Sequence, residues 1–150
     1  MDFKTLVTNK QVDIVDYIKS YISMYNNVEI LIGCDSQGYK DKTIYATVVA
    51  LYKPGNGAHV LYKREKTEPE KVRQIRLMNE VWKSIEVAEF LKQAGLPKVK
   101  YIDIDINPDK RYKSNEVLTS AIGLIVGMGY EVRYKTFGAM ATFAADTLVK

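Results

Sequence analysis

The sequence predicts an α/β domain on a mixed five-stranded sheet, an antiparallel three-strand meander plus two parallel strands, with helices on both faces and an extra N-terminal helix. Two observations carry this. Five apolar, β-branched runs have the length of strands; the first three are joined by short polar turns that suit hairpins, and the last two are reached through long segments that suit helical crossovers. Those long segments repeat apolar residues at three- and four-residue spacing. With 150 residues, 47% hydrophobic and 27% charged, the chain fits one domain over residues 1–150 with a substantial core.

The elements follow in order. Between about Asn9 and Tyr25, Val12, Val15, Ile18, Tyr21 and Ile22 form an apolar stripe, and Thr8 or Asn9 is placed to cap the helix packed on the domain. Strand one runs from about Val28 to Gln37, strand two from Thr43 to Tyr52 and strand three from Ala58 to Lys66, separated by the turn-forming Gly38-Tyr39-Lys40-Asp41-Lys42 and Pro54-Gly55-Asn56-Gly57. Thr67-Glu68-Pro69-Glu70 reads as a helix start, and the helix continues to about Ala94, where Gly95-Leu96-Pro97 stops it. Its core stripe is Leu77, Val81, Ile85 and Ala88, with Glu80 on the flank. Strand four spans Val99 to Ile106. Ser114 or Asn115 caps a helix from Glu116 to Val126 that closes at Gly127-Met128-Gly129, strand five is Tyr130 to Tyr134, and a last helix covers Ala139 to Val149.

Composition narrows the chemistry. The single cysteine, Cys34, excludes an internal disulfide framework and a multi-cysteine zinc site, and it reads as a small buried residue. One histidine, His59, leaves no basis for a histidine metal centre or a serine–histidine triad. Acid–base or metal chemistry therefore rests on carboxylates, whose hard oxygens suit Mg²⁺ or Mn²⁺. No apolar run is long enough to span a bilayer and no signal-peptide pattern opens the chain, so no membrane partner and a cytoplasmic location are expected. The net charge of +4 permits binding to a polyanion.

Asp35 ends an apolar strand, and a buried carboxylate needs donors, a cationic partner or a metal ion. If strands one and four are parallel neighbours, Asp35 and Asp105 lie side by side at their C-terminal ends, where open α/β sheets bind ligands. Asp146 sits among Ala141, Ala144 and Ala145 of the last helix, and Glu80 reaches in from the long one. Carboxylates meeting in one cleft repel one another unless a cation neutralises them, and two Mg²⁺ ions would serve phosphodiester cleavage. Asp103 shares the face of Asp105 by the two-residue period, as a ligand or as an exposed aspartate. Lys110, Arg111 and Lys113, with Tyr112 among them, suit a phosphate backbone or a solvated loop, and Lys63, Arg64, Lys66, Arg73 and Arg76 extend that groove or guard a sheet edge.

Ile32-Gly33-Cys34-Asp35-Ser36-Gln37, Asp105-Ile106-Asn107-Pro108-Asp109, Lys113-Ser114-Asn115 and Ala144-Ala145-Asp146 resemble the YkuK-like family of ribonuclease H-like nucleases. The resemblance covers nearly the whole chain. It implies the ribonuclease H-like fold, a carboxylate-held Mg²⁺ or Mn²⁺ centre and a nucleic-acid substrate, RNA, DNA or a hybrid. It further implies that Asp35 bridges two ions, Asp105 holds one and Asp146 the other, with Glu80, Glu86 or Glu89 as the helix carboxylate. Phe137-Gly138-Ala139-Met140-Ala141-Thr142-Phe143 and Thr147-Leu148 are more apolar than the family pattern. That departure motivates the alternative, a catalytically inactive domain that binds nucleic acid or a protein partner.

Overall fold

The computed structural model describes residues 1–104 and 115–134. In chain order the elements are β1 (Asp2–Thr5), β2 (Gln11–Asp13), α1 (Ile14–Met24), β3 (Glu29–Gly38), β4 (Thr43–Tyr52), β5 (Ala58–Thr67), α2 (Arg73–Gln93), β6 (Tyr101–Ile104), α3 (Asn115–Gly127) and β7 (Glu131–Tyr134). The strands among these residues form one sheet in the order β2-β1-β5-β4-β3-β6-β7. The expected meander is β3, β4 and β5, paired antiparallel throughout. The expected parallel pair is β6, beside β3, and β7, beside β6.

The turn chemistry works as read. Gly55 and Gly57 take φ of 82° and 83°, a region open to glycine, and Lys53 N–H donates to the Gly57 carbonyl at 2.9 Å. At the end of α2, Gly95 takes φ 83°, its N–H donates to the Lys92 carbonyl and that of Leu96 to the Leu91 carbonyl. This double bond satisfies carbonyls the helix itself leaves open, and Leu96 packs into the core beside it. Gly129 ends α3 through the same pair of bonds, to Val126 and Ile125.

Three expectations are corrected. The sheet has seven strands among the described residues, not five, because β1 and β2 form a hairpin that docks β1 on β5 at Lys4–Tyr62 and Thr5–Leu61. The first helix consequently begins at Ile14, with Asp13 accepting from the Asp16 N–H at 3.1 Å as its cap; Asn9, at φ 55°, sits in the hairpin connection. Finally, α2 starts at Arg73 because Thr67 still belongs to β5 and the next residues are tied to the sheet. Glu70 N–H donates to Thr43 Oγ1 at 2.8 Å, and Lys71 Nζ donates to the carbonyls of Tyr39 and Lys40.

Alternation along the strands divides the sheet into two faces. Ile30 and Ile32 of β3, Val49 and Leu51 of β4, Leu61 of β5, and Ile102 and Ile104 of β6 join one core with Ile14 and Ile18 of α1, Val81, Ile85 and Leu91 of α2, and Leu118 and Ile125 of α3. All three described helices therefore lie on that face. The opposite face carries Leu31, Gly33 and Asp35 of β3 and a small cluster of Ile44, Ala46 and Val48, with Val60 and Tyr62 against it. The helix expected at 139–149 falls outside the described residues, as do positions 105 and 106 at the end of the expected fourth strand and Ser114, one of the two expected caps.

Candidate active site

Asp35 is buried, with 6% of its surface exposed. It lies inside the sheet, three residues before β3 ends at Gly38. Ala46 is its cross-strand neighbour on β4, and Ser36 N–H donates to Asp35 Oδ1 at 2.9 Å, which fixes the carboxylate's rotation.

Asp103 lies on the same face, opposite Gly33 in the parallel ladder, with 1% of its surface exposed. Across the β6–β7 ladder it meets Arg133. The guanidinium donates through Nε to Oδ1 at 3.0 Å and through Nη2 to Oδ2 at 3.1 Å, a two-pronged ion pair, and it also sits 5.1 Å from the centre of the Tyr101 ring. The reading of Asp103 as an exposed aspartate is thus overturned: both oxygens are engaged by Arg133, which makes Asp103 a structural anchor of the last two strands. Arg133 escaped the sequence reading. Its signal was slight, an arginine in the strand that follows the aspartate-bearing one.

Glu80 is also buried, at 6% exposure, in the inward stripe of α2 with Leu77, Ser84 and Ile85. It borders the helix-bearing face of the sheet. Burial pushes the Cys34 thiol well above its ordinary value and the Glu80 charge pushes it further, while the hydrogen bond from Thr47 Oγ1 at 3.6 Å pulls the other way. Tyr45 is likewise raised, chiefly by burial; Asn79 donates to its hydroxyl at 3.0 Å and Glu80 adds repulsion. Cys34 and Tyr45 alternate to the helix-bearing face and Asp35 to the other, so Glu80 and Asp35 belong to different faces near the same stretch of β3. Of the other helix carboxylates, Glu89 accepts from the Tyr130 hydroxyl at 2.7 Å and Glu86 is exposed. Glu80 is the acid of α2 held in the interior.

At the far end of β3 the Arg76 guanidinium lies against Gly38, where an added Cβ would come within 2.5 Å of Nη1. Its Nε is buried without a hydrogen-bond partner among the described residues. Asp105, Asp146, Lys110, Arg111 and Lys113 lie outside the described residues, and among those described no three His, Cys, Asp or Glu side chains stand close enough to hold a metal ion.

Asp35 thus sits on the strand that has an antiparallel partner, β4, on one side and a parallel one, β6, on the other. Residues 12–150 match the ribonuclease H-like family. The chain belongs to the ribonuclease H-like family. No curated protein matches it. The family match begins inside β2, so in this ribonuclease H-like chain β1 precedes the matched stretch.

Proposed function

We propose that this ribonuclease H-like chain is a Mg²⁺- or Mn²⁺-dependent nuclease that hydrolyses phosphodiester bonds of RNA or DNA. The observation that carries the reading is Asp35, a carboxylate buried in the sheet beside alanine and fixed by the Ser36 N–H. Its oxygen donors fit a hard divalent cation, and membership of the family supports a nucleic-acid substrate. Asp35, Asp105 and Asp146 would hold the ions. Asp105 follows Asp103 by one strand period in the sequence, directly after the segment anchored by Arg133. Bound between such carboxylates, a pair of ions supplies an activated water and charge stabilisation at the leaving oxygen. Glu80 borders the opposite face of the sheet from Asp35, so no step of the hydrolysis is assigned to it.

The test is cleavage of labelled single-stranded, duplex, hybrid and branched substrates with Mg²⁺ or Mn²⁺, by the parent and by Asp35→Asn. Loss of a carboxylate that would hold the ions would remove several kcal/mol of transition-state stabilisation, so the variant is expected to cut at least about a hundredfold more slowly. If the parent cuts nothing, or Asp35→Asn cuts as well as the parent, the reading fails.

A further inference from the structure

We infer that Lys4, Arg64 and Lys66 form a cationic strip that binds the sugar–phosphate backbone of a nucleic-acid strand on the sheet face carrying Asp35. The inference rests on the nuclease reading for the role of Asp35 but stands on its own geometry. Asp35 is paired with Ala46, and Ala46 with Arg64; one period further on, Gln37 is paired with Ile44, and Ile44 with Lys66. Residues paired across a ladder share a face, so Arg64 and Lys66 stand on the face of Asp35. On the adjoining strand, Lys4 is paired with Tyr62, which aligns through Val48 with Gly33 and so belongs to that face too. Strands lie about 4.8 Å apart, which places the Arg64 backbone roughly 10 Å from that of Asp35.

The charges on the two faces are handled differently. On the helix-bearing face, Lys63 and Lys83 both pair with Glu65, the first at 2.8 Å, so each of those cations has a carboxylate partner. Among the described residues no carboxylate lies within ion-pair distance of Lys4, Arg64 or Lys66, and all three are exposed. They border a cleft of about 400 Å³ with Tyr62, Ile44 and Gln11. The acid in that cleft, Asp2, accepts from Gln11 Nε2 at 3.0 Å. The Tyr62 hydroxyl donates to Asn9 Oδ1 at 2.6 Å, which holds an aromatic ring within the strip. Among the described residues, β5 beyond Tyr62 has no partner strand on this side, because β1 pairs only with Leu61 and Tyr62. Guarding a bare edge against aggregation would need charge of either sign on either face. Uncompensated positive charge gathered on the Asp35 face fits a polyanion.

The test is fluorescence anisotropy with a labelled single-stranded oligonucleotide of about 20 residues, in EDTA so that nothing is cut, across a series of KCl concentrations. Each phosphate contact adds about 0.7 to the slope of log affinity against log salt for a single strand. The variant Lys4→Ser/Arg64→Ser/Lys66→Ser is expected to flatten that slope by about 2, whereas Lys19→Ser/Lys98→Ser leaves it unchanged. No binding by the parent, or an unchanged slope in the triple variant, overturns the inference. Should the triple variant aggregate, the single exchanges decide: a drop of about 0.7 in each supports the strip and no drop overturns it. Cleavage is read separately, so slope loss in a protein that cuts nothing removes only the nuclease reading, and an unchanged slope in a protein that cuts removes only the strip.

Discussion

Asp35 and Asp103 are two buried acids on one face of one sheet, on adjacent strands, and their surroundings differ. The two-pronged contact of Arg133 with Asp103 occupies both carboxylate oxygens and ties β7 to β6. Removing one partner of a buried pair strands the other charge, at a cost of about 3 kcal/mol, whereas replacing both with apolar residues is often close to neutral. Arg133→Leu is therefore expected to lower unfolding stability in urea by about 3 kcal/mol, and Asp103→Leu/Arg133→Leu to recover most of the loss. A double variant as unstable as the single one would show that the Asp103 carboxylate is needed for more than its pairing with Arg133. Asp35 has alanine across the β3–β4 ladder and accepts from the Ser36 N–H.

At the scale of elements, two acids make local structure depend on pH with the same sign. The Asp16 N–H holds the Asp13 carboxyl below its ordinary value of 3.8. Burial alone would raise Glu65, but its hydrogen-bonded ion pairs with Lys63 and Lys83 outweigh this and hold it below 4.5. Groups lowered on folding contribute stability above their unfolded values and lose it as pH falls through the folded ones. The urea midpoint is accordingly expected to hold level between about pH 7 and 5 and to fall below about pH 4, with a shallower fall in Asp13→Asn, which keeps a capping oxygen that does not titrate. An equal fall in both proteins would remove Asp13 from the account.

For the whole molecule, the added β1–β2 hairpin is part of the core rather than an ornament. Phe3 of β1 is 1% exposed and joins the cluster that contains Leu61, Ile14 and Ile18. Truncating a buried phenylalanine costs about 3–5 kcal/mol, so Phe3→Ala is expected to lower the stability of the entire domain by that amount in one cooperative transition. Separate melting of the hairpin, leaving the main transition in place, would contradict this. The molecule thus divides its labour by face. Apolar packing with α1, α2 and α3 fills one side of the sheet, and Asp35 shares the other with the exposed cations of β5 and β1. No helix among the described residues is long and apolar enough to cross a membrane.

Much of this was legible from local pattern. Strand-length runs, the Pro54–Gly57 turn and the glycine stops at Gly95 and Gly129 place β3 to β7 and the C-terminal ends of α2 and α3, because side-chain period and turn conformation are properties of neighbouring residues. Membership of the ribonuclease H-like family and the place of Asp35 on a strand flanked by an antiparallel and a parallel neighbour were equally within reach of the sequence. Tertiary pairing decided the rest. Four- and three-residue strands such as β1 and β2 are too short to show a period and exist through the register of β1 on β5 and of β2 on β1, and the start of α2 was set by bonds to residues about thirty positions earlier. Which carboxylate is braced, and which face each one shares with which cations, follows from ladders between distant segments, where Arg133 meets Asp103 and Arg64 aligns with Asp35.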